Sequence, residues 1–161
     1  MIKVYHGSIV EVQKPLVALG RNNLDFGVGF YATDIRSQAE RWAARMAIRR
    51  MASPVLNIYN LDLDNAKKDF NYLHFDSYDK KWLDFIVSSR NGNRPWAKYD
   101  IIEGGVANDR VIDTIEDYIR GRMSAKVALA ELSKHQPNNQ ICLLSQAVID
   151  SYLHFIESIN L

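Results

Sequence analysis

The chain has 161 residues, 47% hydrophobic and 24% charged, with a formal net charge of +1. That length suits one domain, residues 1–161, with a real core, and the near-neutral balance excludes a global electrostatic pull toward nucleic acid or an anionic membrane. Its single cysteine, Cys142, excludes internal disulfides and fits a reducing, cytoplasmic compartment.

The elements are expected in the following order. Ile2 and Val4 alternate with Lys3 and Tyr5, which predicts a strand over 2–6. Residues 9–26 read as loop with a short strand, punctuated by Pro15 and Gly20. A second strand follows over 28–32. A helix is expected over 37–51, with Ala39, Trp42, Ala43, Met46 and Ala47 on one face, Asp34 as N-cap and Pro54 enforcing the stop. Residues 55–63 alternate from Leu56 onward and predict a half-buried strand. Another short strand is expected within 70–75, then a helix over 77–90 with Trp82, Phe85 and Ile86 inward, ended by Asn91-Gly92-Asn93. A strand over 99–106, helices over 109–120 and 125–134, and a strand over 140–144 follow, with a last helix or strand near 149–156.

Short strands interleaved with helices, without strict alternation, predict an α+β domain built on antiparallel sheets flanked by helices. Gly27 and Gly29 lack a third glycine before a helix, so a Rossmann dinucleotide site is not expected. His74, His135 and His154 have no ligand-like spacing with one another or with Cys142, so no metal site is expected. Cys142 lies in an apolar run with Ile141, Leu143 and Leu144 and reads as core. Arg41, Arg45, Arg49 and Arg50 share one helix and read as a solvated face. Trp42 and Trp82 read as helix core. Residues 1–6 carry no apolar signal core, and no stretch reaches the roughly 18 apolar residues of a membrane span, so no membrane partner is expected.

The chemistry concentrates in two segments. Tyr5-His6-Gly7-Ser8 puts an imidazole where a strand meets a glycine; Gly27-Val28-Gly29-Phe30-Tyr31-Ala32-Thr33 puts two glycines before an aromatic run and a helix start. Glycines let a backbone approach a ligand closely. The His, a backbone group and a Tyr ring are parts for gripping a flat aromatic amide. The long stretch 10–26 between them reads as a lid, with Arg21, Asn22, Asn23 and Asp25 able to meet phosphate or ribose hydroxyls, while Gly20-Arg21-Asn22-Asn23 reads equally as an exposed turn.

These segments resemble the first and second motifs of ADP-ribosyltransferases of the diphtheria-toxin and poly-ADP-ribose-polymerase type: an aromatic-His-Gly-Ser strand, then a glycine-rich turn into Tyr31 and a helix with Ser37 in its first turns. Asn139-Gln140-Ile141-Cys142-Leu143-Leu144 is similar to their third motif, a strand carrying Glu, with Gln140 where the Glu would be. Across most of its length the chain looks like a bacterial family numbered 3990 among domains of unknown function, usually grouped with these transferases. The likeness runs from Tyr5-His6-Gly7-Ser8 through Trp42-Ala43 and Trp82-Leu83-Asp84-Phe85-Ile86 to Val106-Ala107-Asn108-Asp109.

The resemblance implies two small, roughly perpendicular antiparallel sheets with a cleft for NAD between them. His6 would hold the adenosine ribose, the Gly7 backbone the nicotinamide amide, Tyr31 the nicotinamide ring, and Ser37 the ribose; Arg21 and Gly29 would complete the cofactor contacts. Gln140 can hydrogen-bond a ribose but lacks the negative charge that stabilises a developing cation. A carboxylate from elsewhere would then carry the acid role, with Asp109 the first candidate and Asp25, Asp84 and Glu103 behind it. The expected function is NAD-dependent mono-ADP-ribosyl transfer to an unidentified acceptor, in a toxin, an effector or half of a toxin–antitoxin pair. The competing readings are an inactive NAD- or nucleotide-binding module, favoured by Gln140, and an NAD glycohydrolase.

Overall fold

The computed structural model describes every residue except Asn23, Asn108, Gln136 and Pro137, with backbone alone at Asp109 and Arg110. Strands β1 (Ile2–Ser8), β3 (Val55–Leu61) and β7 (Leu153–Asn160) form a three-stranded antiparallel sheet in the order β1-β3-β7. Strands β2 (Phe30–Ala32), β4 (Tyr72–His74), β5 (Ile101–Gly104) and β6 (Gln140–Leu143) form a four-stranded sheet in the order β2-β6-β5-β4. The expectation of purely antiparallel sheets is corrected here. β4 runs parallel to β5, because the helix and 3₁₀ turn between them carry the chain back to the same end of the sheet.

Among the described residues six helices complete this α+β fold: α1 (Arg36–Arg50), α2 (Leu63–Asp69), α3 (Lys80–Arg90), α4 (Asp109–Ile119), α5 (Ala125–Leu132) and α6 (Gln146–Tyr152). Side-chain alternation along the strands sorts the apolar residues into layers. Val4, Tyr59 and Leu61 of the smaller sheet meet Phe30, Ile101, Ile141 and Leu143 of the larger one, sealed by Leu63, Ala66, Val148 and Ile149 from α2 and α6. The opposite face of the larger sheet presents Ile102 and Cys142 to Trp82, Leu83 and Ile86 of α3, Val111 and Ile115 of α4, and Ala128 and Leu132 of α5. On the outer face of the smaller sheet, Leu56 and Ile58 pack on Ala39 of α1. β3 is therefore buried on both faces rather than half-buried, and its fully buried Asn57 is satisfied by the loop: Val12 N–H donates to its Oδ1 at 2.8 Å, and its Nδ2 donates to the Val10 carbonyl at 3.1 Å.

Several local expectations are corrected. Asp34 does not cap α1: Ile35 is the N-cap, Thr33 Oγ1 accepts from Ile35 N–H at 3.0 Å, and Asp34 instead accepts from Asn139 Nδ2. α1 ends at Met51 in the left-handed region, before Pro54 is reached. The loop over 9–26 holds a 3₁₀ turn, Val17–Leu19, and no strand among its described residues. Phe85 is half-buried at the edge of its core rather than inside it. Trp82 is fully buried, with Nε1 donating to Gly105 O at 3.0 Å, whereas Trp42 is only half-buried.

Candidate functional site

Beyond their shared core, the two sheets are joined by one backbone-paired couple. Tyr5 and Thr33 exchange both backbone hydrogen bonds, at 2.8 and 3.0 Å, and no further bridge joins β1 to β2. In an antiparallel ladder alternate residues direct their N–H and C=O groups to the same side. Tyr5 faces β2, so Gly7 does too. A continued ladder would pair Gly7 with Tyr31. Instead the Tyr31 carbonyl accepts a hydrogen bond from His6 Nδ1 at 2.7 Å. The strands fork here, and the N–H and C=O of Gly7 point into the fork.

The His6 ring packs on Phe30, with centroids 4.7 Å apart. Burial lowers its pKa; the bond to Tyr31 opposes that, and the positive charge of Arg21 adds to it. His6 is thus neutral at pH 7. A carbonyl partner fixes the proton on Nδ1 and leaves Nε2 as an acceptor. The Arg21 guanidinium stacks over Trp42 at 5.0 Å from the ring centre.

Tyr31 and Cys142 are cross-strand partners, and Phe30 pairs with Leu143 and Ala32 with Ile141. Gln140 therefore shares the face of Tyr31, two residues along β6. That places it diagonally across the ladder at roughly 7–8 Å. The Tyr31 hydroxyl donates to the Gly27 carbonyl at 2.5 Å. Burial, followed by Cys142 and Asp25, pushes its pKa far up, so Tyr31 is a ring and a donor, not a base. Burial likewise pushes the Cys142 thiol up to about 12, which leaves it unreactive.

The glycines of the second segment serve packing. At Gly27, φ is +94°, and a Cβ would lie 2.4 Å from the Trp96 indole; at Gly29 it would lie 2.6 Å from the Leu143 carbonyl oxygen. Ser37 is exposed in the first turn of α1. The lid expectation for 10–26 is also corrected. Its first half is pinned: Tyr59 donates to Val12 O, Val17 N–H donates to Gln146 Oε1 at 3.0 Å, and Gln146 Nε2 donates to Pro15 O at 3.1 Å. Arg21 and Asn22 remain exposed, and Asn23 lies outside the described residues.

Among the described residues, the candidate carboxylates are not gathered beside Gln140. Asp25 is held by both Nε and Nη2 of Arg90, at 3.0 and 3.2 Å. Asp84 pairs with Lys80 on the surface of α3. Glu103 lies opposite Ile141, on the other face of the sheet from Gln140, and accepts from Tyr72 and from Asn139 Nδ2. The Asp109 side chain lies outside the described residues.

Sequence reasoning missed Asn139 as a junction. Its carbonyl accepts from Thr33 Oγ1 at 2.6 Å and Gln38 Nε2 at 2.9 Å, and its amide reaches Asp34 and Glu103 at 3.0 Å each. It ties the start of β6, where Gln140 sits, to the first turns of α1. Gln38 Oε1 is buried there with no partner among the described residues. A cleft of about 240 Å³ opens beside this junction, lined by His74, Phe75, Asp76, Glu103, Gly105, Asn138 and Asn139. Neither it nor the larger cleft described below is lined by His6 or Tyr31. Among the described residues no group of three or more His, Cys, Asp or Glu could hold a metal, and no helix is long and apolar enough to cross a membrane.

Two small sheets joined at one pair, with helices on their outer faces and a fork at the junction, define an α+β domain with its candidate site between sheets. The chain belongs to the family described as "Protein of unknown function (DUF3990)", which it matches over residues 2–155. No curated protein and no solved structure matches it.

Proposed function

We propose that the fork between β1 and β2 is an NAD site of the ADP-ribosyltransferase kind, and that the protein is an NAD-dependent mono-ADP-ribosyltransferase. The observation that carries this reading is the backbone of Gly7, whose N–H and C=O face the fork. A carboxamide offers one acceptor and one donor, the complement of that pair. The Tyr31 ring would supply the aromatic face, and Gln140, on the Tyr31 side of β6, would meet a ribose hydroxyl. His6 Nε2, kept unprotonated by burial, accepts from a second ribose hydroxyl. Arg21 is an exposed cation for the pyrophosphate. The acceptor, and a toxin–antitoxin setting, rest on the sequence resemblance alone.

A second reading is an NAD-binding module without turnover. It is favoured by the pairing of Asp25 with Arg90 and of Asp84 with Lys80, and by Glu103 lying on the far face. Incubation with NAD separates the two. Nicotinamide release, with transfer of labelled ADP-ribose to an acceptor, supports the transferase; release without transfer indicates a glycohydrolase. Saturable NAD binding without release supports the module. Absence of both binding and release would sink the NAD reading altogether.

A further inference from the structure

A second cleft lies away from the fork. It encloses about 380 Å³ and is lined by Phe85 of α3 and by Arg94, Pro95, Ala97, Lys98 and Tyr99 around the 3₁₀ turn Pro95–Lys98. That volume falls in the range of small-ligand sites, roughly 300–1,000 Å³. Its walls combine aromatic faces with cations. The Arg94 guanidinium lies 4.7 Å over Trp96, and Lys98 Nζ lies 5.3 Å over Tyr99. Both side chains are exposed, and neither has a carboxylate partner among the described residues.

The surroundings make that pairing pattern informative. Lys80 is neutralised by Asp84, and Arg90 by Asp25. The two cations that line the cleft have no anion beside them among the described residues, and each is parked on a ring. Beside the cleft, Trp96 packs into the space left by Gly27, and Pro95, which lines it, fixes the first position of the turn. Cations over aromatic faces, beside an apolar slot, are the parts that take a base by stacking and its phosphate by charge.

We propose that this cleft binds a nucleoside phosphate, with the base on the Phe85–Tyr99 side and the phosphate between Arg94 and Lys98. The site is independent of the fork: no residue lining it belongs to the proposed NAD contacts. Free mononucleotides and the exposed units of a single-stranded nucleic acid share this chemistry.

The test titrates the full chain with adenosine, adenosine monophosphate and a short oligodeoxyadenylate. Adenosine monophosphate should bind saturably and at least tenfold tighter than adenosine. The Arg94→Glu/Lys98→Glu double variant should weaken it at least tenfold, and Ala97→Trp, which fills the slot from an exposed position, should do likewise. His6→Ala should leave it unchanged, which separates this site from the fork. Tighter binding of the oligonucleotide than of the mononucleotide identifies a nucleic-acid strand as the source; equal binding identifies the free nucleotide. Absence of binding by either, survival of binding in both cleft variants, or its loss in His6→Ala alone would overturn the proposal.

Discussion

Gln140→Glu is the substitution that tests the proposed chemistry most directly. Gln140 is half-buried at the first position of β6, opposite Gly104, and on the face of Tyr31. Glu is nearly isosteric, so packing changes little. Gly104 presents no side chain across the ladder, and Glu103, the adjacent carboxylate, points to the other face, so a new anion meets no directly opposed like charge. A half-buried carboxylate without a fixed partner costs about 1–3 kcal/mol of stability. A charge facing the oxocarbenium-like transition state should return about 2.7–4 kcal/mol of barrier, a 10²–10³-fold rise in kcat. Because the cation exists only in the transition state, KM for NAD should move far less than kcat. The assay is nicotinamide release at saturating NAD, with thermal unfolding run beside it and Gln140→Ala as control. If kcat stays flat in a Gln140→Glu protein that still unfolds cooperatively, Gln140 does not face the reacting centre, and the proposed arrangement is wrong.

Three further outcomes follow from the same geometry. Gly7→Ala should destabilise by about 1–3 kcal/mol or more, because the added Cβ would lie 2.1 Å from the Ala39 carbonyl oxygen, on backbone that cannot step aside; an unchanged melting temperature would contradict the packing of α1 on β1. Burial holds the His6 imidazole below its ordinary 6.5 in the folded chain, so the unfolded chain protonates first; stability should be whole above pH 6.5 and fall below it, by at most about 1.4 kcal/mol per pH unit from this group, and His6→Ala should flatten that limb of a pH series of denaturation curves. Arg21→Ala should raise the Kd of NAD more than that of nicotinamide, since only NAD carries phosphates, and equal losses in a calorimetric titration would mean that Arg21 acts through its stacking on Trp42.

Local signals made much of this fold readable. The alternation of β1, the apolar stripe of α1 and the Trp82-Ile86 spacing of α3 each survive in the folded chain because each records which face a neighbour covers. What escaped was set by partners distant in sequence. α2 hid in Leu61-Asp62-Leu63-Asp64, whose alternation mimics a strand until the Asp62 side chain accepts from Asn65 N–H and starts a helix. The C-terminal segment read as helix or strand because it is both: α6 passes into β7 at Tyr152–Leu153 with no glycine or proline to mark the change. At the site, His6, Gly7, Tyr31 and Gln140 were visible as motif residues. The demands on Gly27 and Gly29 were not, since both answer to Trp96, Cys142 and Leu143, which lie far along the chain.

His6 has two consequences that one substitution can separate. Its Nδ1–H takes the Tyr31 carbonyl, the acceptor that the Gly7 N–H would claim if the Tyr5–Thr33 pairing continued. The imidazole therefore closes the strands with a side chain while leaving a backbone donor free, which is why a fork exists where a ladder is geometrically available. In His6→Ala the Tyr31 carbonyl is released, and pairing with Gly7 becomes the obvious way to satisfy both groups, each such bond being worth about 0.5–1.5 kcal/mol. The prediction is that His6→Ala loses NAD binding while keeping a cooperative fold, and that the Gly7 amide, fast in hydrogen exchange in the parent protein, becomes protected in the variant. A Gly7 amide already protected in the parent would mean that the fork is closed, with no donor left for a carboxamide. One that still exchanges fast in the variant would mean that the strands are held apart by something other than His6.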